Sequence, residues 1–306
     1  MNYTIHQLRV FLKVVEKQSI TKASEALYLS QPAVSIQLKK FQEQFDIPLT
    51  EVVGRQLYTT PFGEEVAAMA QKIVDEVDAL EYKVKAREGK VAGRLKISSV
   101  STGKYVMPYF LSGFVNQYPD VDLTLDVTNR QKVVESLEQN AIDFALVSVM
   151  PQHLALNNVP LLANELYLVG GRERDERRSH EASEIFEKDS LLYREAGSAT
   201  RAAMEQFIER QHIRNKKKME LTSNEALKQA VIAGLGYSIM PLIGIKTALN
   251  LKELVIIPHE GLPLVTEWNL VWLKSKKLSP VATAYLEYLE TEKQSIVERY
   301  FSWVGK

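Results

Sequence analysis

Residues 19–45, SITKASEALYLSQPAVSIQLKKFQEQF, constrain the fold more than any other stretch, because they read as two short helices meeting at a tight turn. In the second helix, Val34, Leu38, Phe41 and Phe45 recur at i, i+4, i+7 and i+11, which stacks them on one stripe of a 3.6-residue helix facing a core. The same arithmetic turns Pro32, Ser35, Ile36, Lys39, Lys40 and Glu43 outward, with Gln31 and Gln42 on the flank. Ser30 suits the N-cap, where its hydroxyl can accept an orphan amide, and Pro32 is tolerated in a first turn whose amides lack intrahelical partners. A helix N-terminus also favours phosphate, so this helix is fit to point its start at DNA.

Upstream, Leu8, Phe11, Leu12 and Val15 form the stripe of a first helix, and Ile20, Ala23 and Leu27 fit a second that starts near Thr21. Three helices with a short turn before the third is the helix-turn-helix plan, in which early residues of the last helix reach base edges in the major groove. Gln31 is expected to pair bidentately with an adenine, and the outward Ile36 to cover a thymine methyl. Residues 48–60, with Gly54, Arg55 and paired threonines, read as a β-like wing that lays Arg55 along a phosphate strand or in the minor groove. Residues 1–65 hold seven Lys/Arg against seven Asp/Glu, so no basic excess advertises nucleic acid. On these residues alone a plain three-helix domain remains an alternative.

The run QLRVFLKVVEKQSITKASEALYLSQPAVSIQLKKFQEQF, followed by an IPL segment, a glycine-arginine wing and TPFGE, resembles the N-terminal domain of LysR-type transcriptional regulators. The resemblance implies a DNA-binding set of Thr21, Lys22, Ser30, Gln31, Pro32, Ser35, Ile36, Lys39 and Arg55. It has gaps. Thr50 and Val52 stand where the family commonly has the Phe and Arg of LFER, and Ile36 and Gln42 replace a frequent basic residue and a frequent Glu. Those departures bear on wing contacts and half-site preference.

A length of 306 residues with 45% hydrophobic and 25% charged residues supports more than one core and argues against disorder. The net charge of zero leaves DNA affinity to local placement and to doubling of sites by dimerisation. Cysteine is absent, which excludes disulfides and thiol chemistry. Lys13, Glu16 and Lys17 interrupt the first apolar stretch and no eighteen apolar residues run together, so neither a signal segment nor a membrane partner is expected and the cytoplasm is the expected compartment. His6, His153, His180, His212 and His259 fall in no metal spacing, and neither a phosphate loop nor a nucleophile elbow is present. No catalytic residue, metal or cofactor is therefore expected, with a metabolic enzyme or a solute-binding protein carrying a helical adaptor as the alternatives.

Residues 61–89 read as one long helix in which Val66, Ala70, Ile73, Val77, Leu80 and Val84 alternate spacings of four and three, the seam of a coiled coil. Gly89 and Gly93 then mark a flexible break. Beyond it, strands near 95–100, 121–128 and 142–149 alternate with helices near 105–117 and 131–139, which predicts a mainly parallel sheet with helices on both faces. A strand near 165–170, helices near 200–212 and 225–234, and a returning strand near 267–273 suggest a second lobe with crossings near 164 and 266. Residues 172–178 read as a solvated loop, 214–218 as a turn and 279–303 as a terminal helix.

The fold class expected is thus α+β and multidomain. A winged helix-turn-helix DNA-binding domain spans 1–60, a linker and dimerisation helix 61–89, and a two-lobed effector-binding domain 94–306. Lobe I would comprise 94–164 and 267–306, and lobe II 165–266. The two lobes resemble the periplasmic-binding-protein fold that LysR-type regulators use to sense effectors. Ser98 to Gly103, Asn129-Arg130, Gly197 to Arg201 and Ser223-Asn224 are polar clusters at the starts of helices, fit for a carboxylate or phosphate, though each equally suits an N-cap. The resemblance places effector contacts at Ser99, Ser101, Thr102, Asn129, Thr200 and Asn224. It implies as partners double-stranded DNA at an interrupted palindrome, a small anionic metabolite, and further copies of the chain as a homodimer or homotetramer, with RNA polymerase as an additional candidate. The stretch SNEALKQAVIAGLGYSIMP also resembles the branch that includes regulators of carbon-dioxide fixation genes.

Overall fold

The computed structural model describes residues 2–54, 56–87, 90–178, 181, 184–213 and 217–304, in two compact units, Met1–Lys90 and Val91–Lys306. In the first unit, α1 (Ile5–Lys17) opens with a reciprocal cap: Thr4 Oγ1 accepts from the Gln7 amide at 3.2 Å and Gln7 Oε1 accepts from the Thr4 amide at 2.8 Å. Gln18, left-handed at φ 47°, ends that helix and Ser19 caps α2 (Ile20–Leu27). Tyr28 repeats the device at φ 54° and Ser30 caps α3 (Gln31–Gln42). Each left-handed residue turns the chain within one or two positions, so the three helices close on one core.

That core contains Leu8, Phe11, Val14, Ala23, Val34, Leu38 and Phe41. The Phe41 ring centroid lies 5.1 Å from Phe11 and 5.2 Å from Phe45. Helix α3 stops at Gln42, and Phe45 packs from the following turn, 6.1 Å from Phe62. Strands β1 (Thr50–Val53) and β2 (Gln56–Thr59) pair antiparallel from Thr50↔Thr59 to Val53↔Gln56. Arg55 lies outside the described residues, as do Gly89 and residues 214–216 of the expected turn.

Helix α4 (Pro61–Arg87) extends roughly 40 Å at 1.5 Å per residue. Gly63, Ala67, Ala70 and Val74 are buried along one face. A Cβ on Gly63 would sit 1.9 Å from the Leu49 carbonyl oxygen, so only glycine permits this approach. The expected seam is thereby corrected. Ala70 and the half-buried Val66 belong to the core of their own unit, because the spacing cannot say which row faces the head. Among the described side chains of this helix, the large apolar ones left exposed are Met69, Ile73 and Leu80, at 66%, 39% and 65%.

In the second unit, β3 (Gly93–Val100) leads through a 3-10 turn (Ser101–Tyr105) to α5 (Met107–Gln117), β4 (Val121–Thr128), α6 (Arg130–Glu138) and β5 (Phe144–Val147). The chain continues through β6 (Leu156–Gly171), α7 (Arg172–Glu176), α8 (Ile185–Lys188), β7 (Leu191–Arg194), α9 (Ala199–Arg210), β8 (Lys218–Leu221) and α10 (Asn224–Ile232). Then come β9 (Ser238–Pro241), α11 (Leu242–Asn250), β10 (Leu254–Ile256), β11 (Leu264–Leu273) and α12 (Pro280–Phe301).

The seven-stranded sheet runs β10-β6-β11-β5-β3-β4, with β9 also paired to β6. It is mixed, not mainly parallel: β3 pairs parallel with β4 and β5, whereas β6 pairs antiparallel with β9, β10 and β11, as β11 does with β5. The cause is the length of β6 and β11, which run side by side from Leu156↔Leu273 to Leu166↔Leu264 and serve both lobes. Trp268, Phe110, Phe114, Phe144 and Tyr285 centre the first lobe's core. The second half of β6 is covered on both faces, Leu168 packing with Phe186, Phe207 and Ile239, and Val169 with Leu192, Leu227 and Met240.

The expected loop at 172–178 contains α7, and Arg174 is anchored by 2.8 Å bonds to the Gly234 carbonyl and Asp189. Arg178, less exposed still, bonds Asp175 at 3.0 Å, so the alternating signs hid two anchored cations. Among the described residues no helix is long and apolar enough to cross a membrane, and no group of three metal-ligating side chains gathers.

Candidate nucleic-acid interface and effector cleft

On α3, burial of Val34, Leu38 and Phe41 leaves Gln31, Pro32, Ser35, Ile36 and Lys39 exposed on the opposite face. Ser30 Oγ accepts from the Ala33 amide at 3.4 Å, which fixes the helix start, and Thr21 and Lys22 stand exposed in the first turn of α2. Lys39 approaches Glu43 at 3.9 Å, an exposed pair that leaves the lysine accessible. Two of the departures from the family pattern meet in space: the Thr50 hydroxyl donates to Gln42 Oε1, tying the end of α3 to the first residue of β1. Val52 and Val53 are exposed on that wing, so position 52, where the family commonly has an arginine, carries an apolar side chain.

In the second unit, the register Val100↔Thr128 sets Ser101 and Asn129 at the carboxyl ends of adjacent parallel strands, where open α/β sheets bind ligands. Asn129 is exposed and caps α6, accepting from the Lys132 amide at 2.9 Å. Ser99 is fully buried and donates to the Val100 carbonyl at 3.1 Å. Thr102 is buried within the turn, and Thr200 is half-buried in the first turn of α9.

The two lobes meet at Ser101. Its Oγ accepts from Arg194 Nη2 at 3.3 Å and from Asn224 Nδ2 at 3.2 Å, both from the second lobe. Arg194 ends β7 and is 3% exposed; its Nε and Nη2 form a fork on Glu195, at 2.8 Å each. Arg201 Nη1 donates to the Arg194 carbonyl at 3.1 Å and is held in turn by Glu205 and Glu220. Nearby, Lys228 and then Gln229 hold the Glu225 carboxyl below the usual carboxylate range, and Lys104 of the first lobe adds to the effect. Burial pushes the Tyr193 phenol up to about 12, aided by Glu205, so it stays neutral.

Of the six expected effector positions the fold joins Ser101 and Asn224 directly. Arg194 and Glu195 escaped the sequence reading. The available signal was a charged residue ending an apolar four-residue strand just before a helix start.

Gly103 lets the turn sit on the strand, since a Cβ there would meet Ser99 Oγ at 1.9 Å and Leu146 Cδ2 at 2.8 Å. Gly103→Ala is expected to destabilise the second unit by about 1–3 kcal/mol through overpacking, read as a lower denaturant midpoint at unchanged slope. A separate cavity of about 530 Å³ is lined by Arg174, Arg177, Arg178 and Tyr237 of the second lobe. Each of its arginines is paired with a carboxylate, Asp189, Glu173 and Asp175 respectively, and it contains none of the Ser101 cluster.

Residues 5–64 match the family described as bacterial regulatory helix-turn-helix protein, lysR family, and residues 88–294 match the LysR substrate binding domain. The HTH-type transcriptional activator CmpR of Synechocystis sp. is 35% identical over 96% of this chain and 97% of its own length. A RuBisCO operon transcriptional regulator of Allochromatium vinosum is 34% identical over 95% of this chain and 97% of its own. Among solved structures, the CcmR regulatory domain of Synechocystis PCC6803 in complex with 2-PG superposes with a TM-score of 0.61 at 29% identity, covering 66% of this chain and 98% of that one. Full-length CbnR complexed with its target DNA shares the fold at a TM-score of 0.69 and 18% identity, covering 94% of this chain and 99% of that one. The named relatives are transcriptional regulators, not enzymes, and the chain itself belongs to the LysR family of transcriptional regulators, with a helix-turn-helix domain followed by an effector-binding domain.

Proposed function

We propose that this chain reads an interrupted palindrome as a homodimer or homotetramer and changes its grip on DNA when a small anionic metabolite occupies the cleft between its lobes. The observation that carries the effector reading is the bond from buried Arg194 to Ser101 of the other lobe, because an anion at that guanidinium touches both lobes at once. In this reading residues 1–60 read DNA through Thr21, Lys22, Ser30, Gln31, Pro32, Ser35, Ile36 and Lys39, residues 61–89 pair two heads, and residues 94–306 sense the effector. Ser99, Ser101, Thr102, Asn129, Thr200 and Asn224 complete the proposed effector set. The CcmR complex with 2-PG supports a small metabolite as the ligand class, and the RuBisCO operon relatives support carbon-dioxide fixation genes as targets.

A mobility-shift titration on the chain's own upstream region, at moderate salt with and without 2-PG, is expected to give a specific complex whose mobility or affinity responds to the ligand. Absence of any specific complex overturns the reading. Gln31→Ala is expected to weaken specific binding by about 1–3 kcal/mol while the oligomeric state stays the same. A binding-site scan with base preference unchanged would contradict a base-reading role for Gln31.

A further inference from the structure

We infer that Glu195 is a resident occupant of the anion site, a carboxylate supplied by the chain itself that an incoming anion must displace from Arg194. The inference rests on the cleft reading above. A cation as deeply buried as Arg194 is costly unless neutralised, and its fork on Glu195 does so with the planar two-bond geometry that guanidinium offers any carboxylate or phosphate. The partner is unusual in its position. Glu195 is the next residue in the chain, so the pair ties no two elements together and adds nothing to tertiary closure. Among the described residues its carboxylate hydrogen-bonds to Arg194 alone, and its side chain is 20% exposed, so it can swing into water by side-chain rotation.

A second observation marks the site as unfinished. Asn224 is 5% exposed, donates to Ser101, and keeps its Oδ1 buried without a hydrogen-bond partner. Buried acceptors are seldom left so, and one on a residue that shares Ser101 with a displaceable ion pair suits a ligand that brings both negative charge and a hydrogen-bond donor. Inorganic phosphate has both in its monoprotonated form. Exchange of Glu195 for such an anion keeps Arg194 neutralised while freeing the Arg194–Ser101 contact to reorganise. Glu195 thus sets the concentration at which the effector registers, because the ligand's affinity is a difference between two anions competing for one fork.

The test is calorimetric titration of the full chain with 2-PG and, separately, with inorganic phosphate. Glu195→Gln, which removes the competing charge, is expected to bind the anions roughly ten- to hundred-fold more tightly than the native chain. Glu195→Asp keeps the charge but shortens its reach, and is expected to give a smaller gain in the same direction. Glu176→Gln removes an exposed carboxylate of the same lobe that pairs with Arg172, away from the fork, and is expected to leave affinity unchanged, whereas Arg194→Ala is expected to abolish binding. A native chain that binds 2-PG with Glu195→Gln no tighter, or with Glu176→Gln gaining as much, overturns the role of Glu195 and leaves the cleft reading standing. Undiminished binding by Arg194→Ala, or none by any variant, overturns both.

Discussion

Replacing Ile73 and Leu80 together by aspartate is expected to lower affinity for a full palindromic operator by about 10²–10⁴-fold, while affinity for an isolated half-site is unchanged. Both side chains stand exposed on α4, on the row left over once Gly63, Ala67, Ala70 and Val74 have packed into the head's own core. Exposed branched apolar residues at this spacing have no role in a lone head. Their burial against a second copy would convert binding of the second half-site into an intramolecular event. Sedimentation of the variant should show loss of the dimer, with the helical content of the head preserved. Full operator affinity in a variant that sediments as a monomer would exclude this helix as the coupling element.

Phe41→Ala is expected to destabilise the first unit by about 3–5 kcal/mol, a large share of the 5–15 kcal/mol typical of a whole domain. The Phe41 ring is 1% exposed and contacts Phe11, Phe45 and Tyr3, the last at 5.6 Å, so no neighbour can close the gap without giving up another contact. DNA binding should disappear with it. The binding of 2-PG proposed for the cleft should survive, because the second unit has its own cores and draws on none of the residues around Phe41. A denaturation profile followed by head-specific and whole-chain probes would separate into two transitions. One shared, equally shifted transition would show instead that the units unfold together.

The reading head was legible because its information is local. Val34, Leu38 and Phe41 announce their shared face within eight positions, and Ser30 and Pro32 announce where that helix begins. Polar helix starts in the sensor were legible for the same reason, which is how Ser101 and Asn224 came to notice. What joins them was not. The Ser101–Arg194 contact spans 93 positions and the Ser101–Asn224 contact 123, and nothing local to β7 distinguishes Arg194 from any surface arginine. Ala70 failed differently, since a small apolar residue at helical spacing satisfies either a dimer seam or an internal face, and only the Gly63 crossing decides between them. The sheet's parallel character was overestimated because alternation of strands and helices reports connectivity and says nothing about two long strands that travel side by side in opposite directions.

Those two strands have a mechanical meaning. Because β6 and β11 cross from lobe to lobe as neighbours, bonded side chain to side chain at Asn164 and Thr266 (2.9 Å), the lobes are joined by a continuous hydrogen-bonded ribbon. A ribbon resists stretching and shear but yields to twist and bend, and the break in register between Trp268 and Asn269 is where its stiffness is interrupted. Lobe motion in this protein is therefore expected to resemble that of a leaf spring, bending against a restoring force. On the proposed reading, departure of the ligand would then reset the lobes without any partner having to push them back.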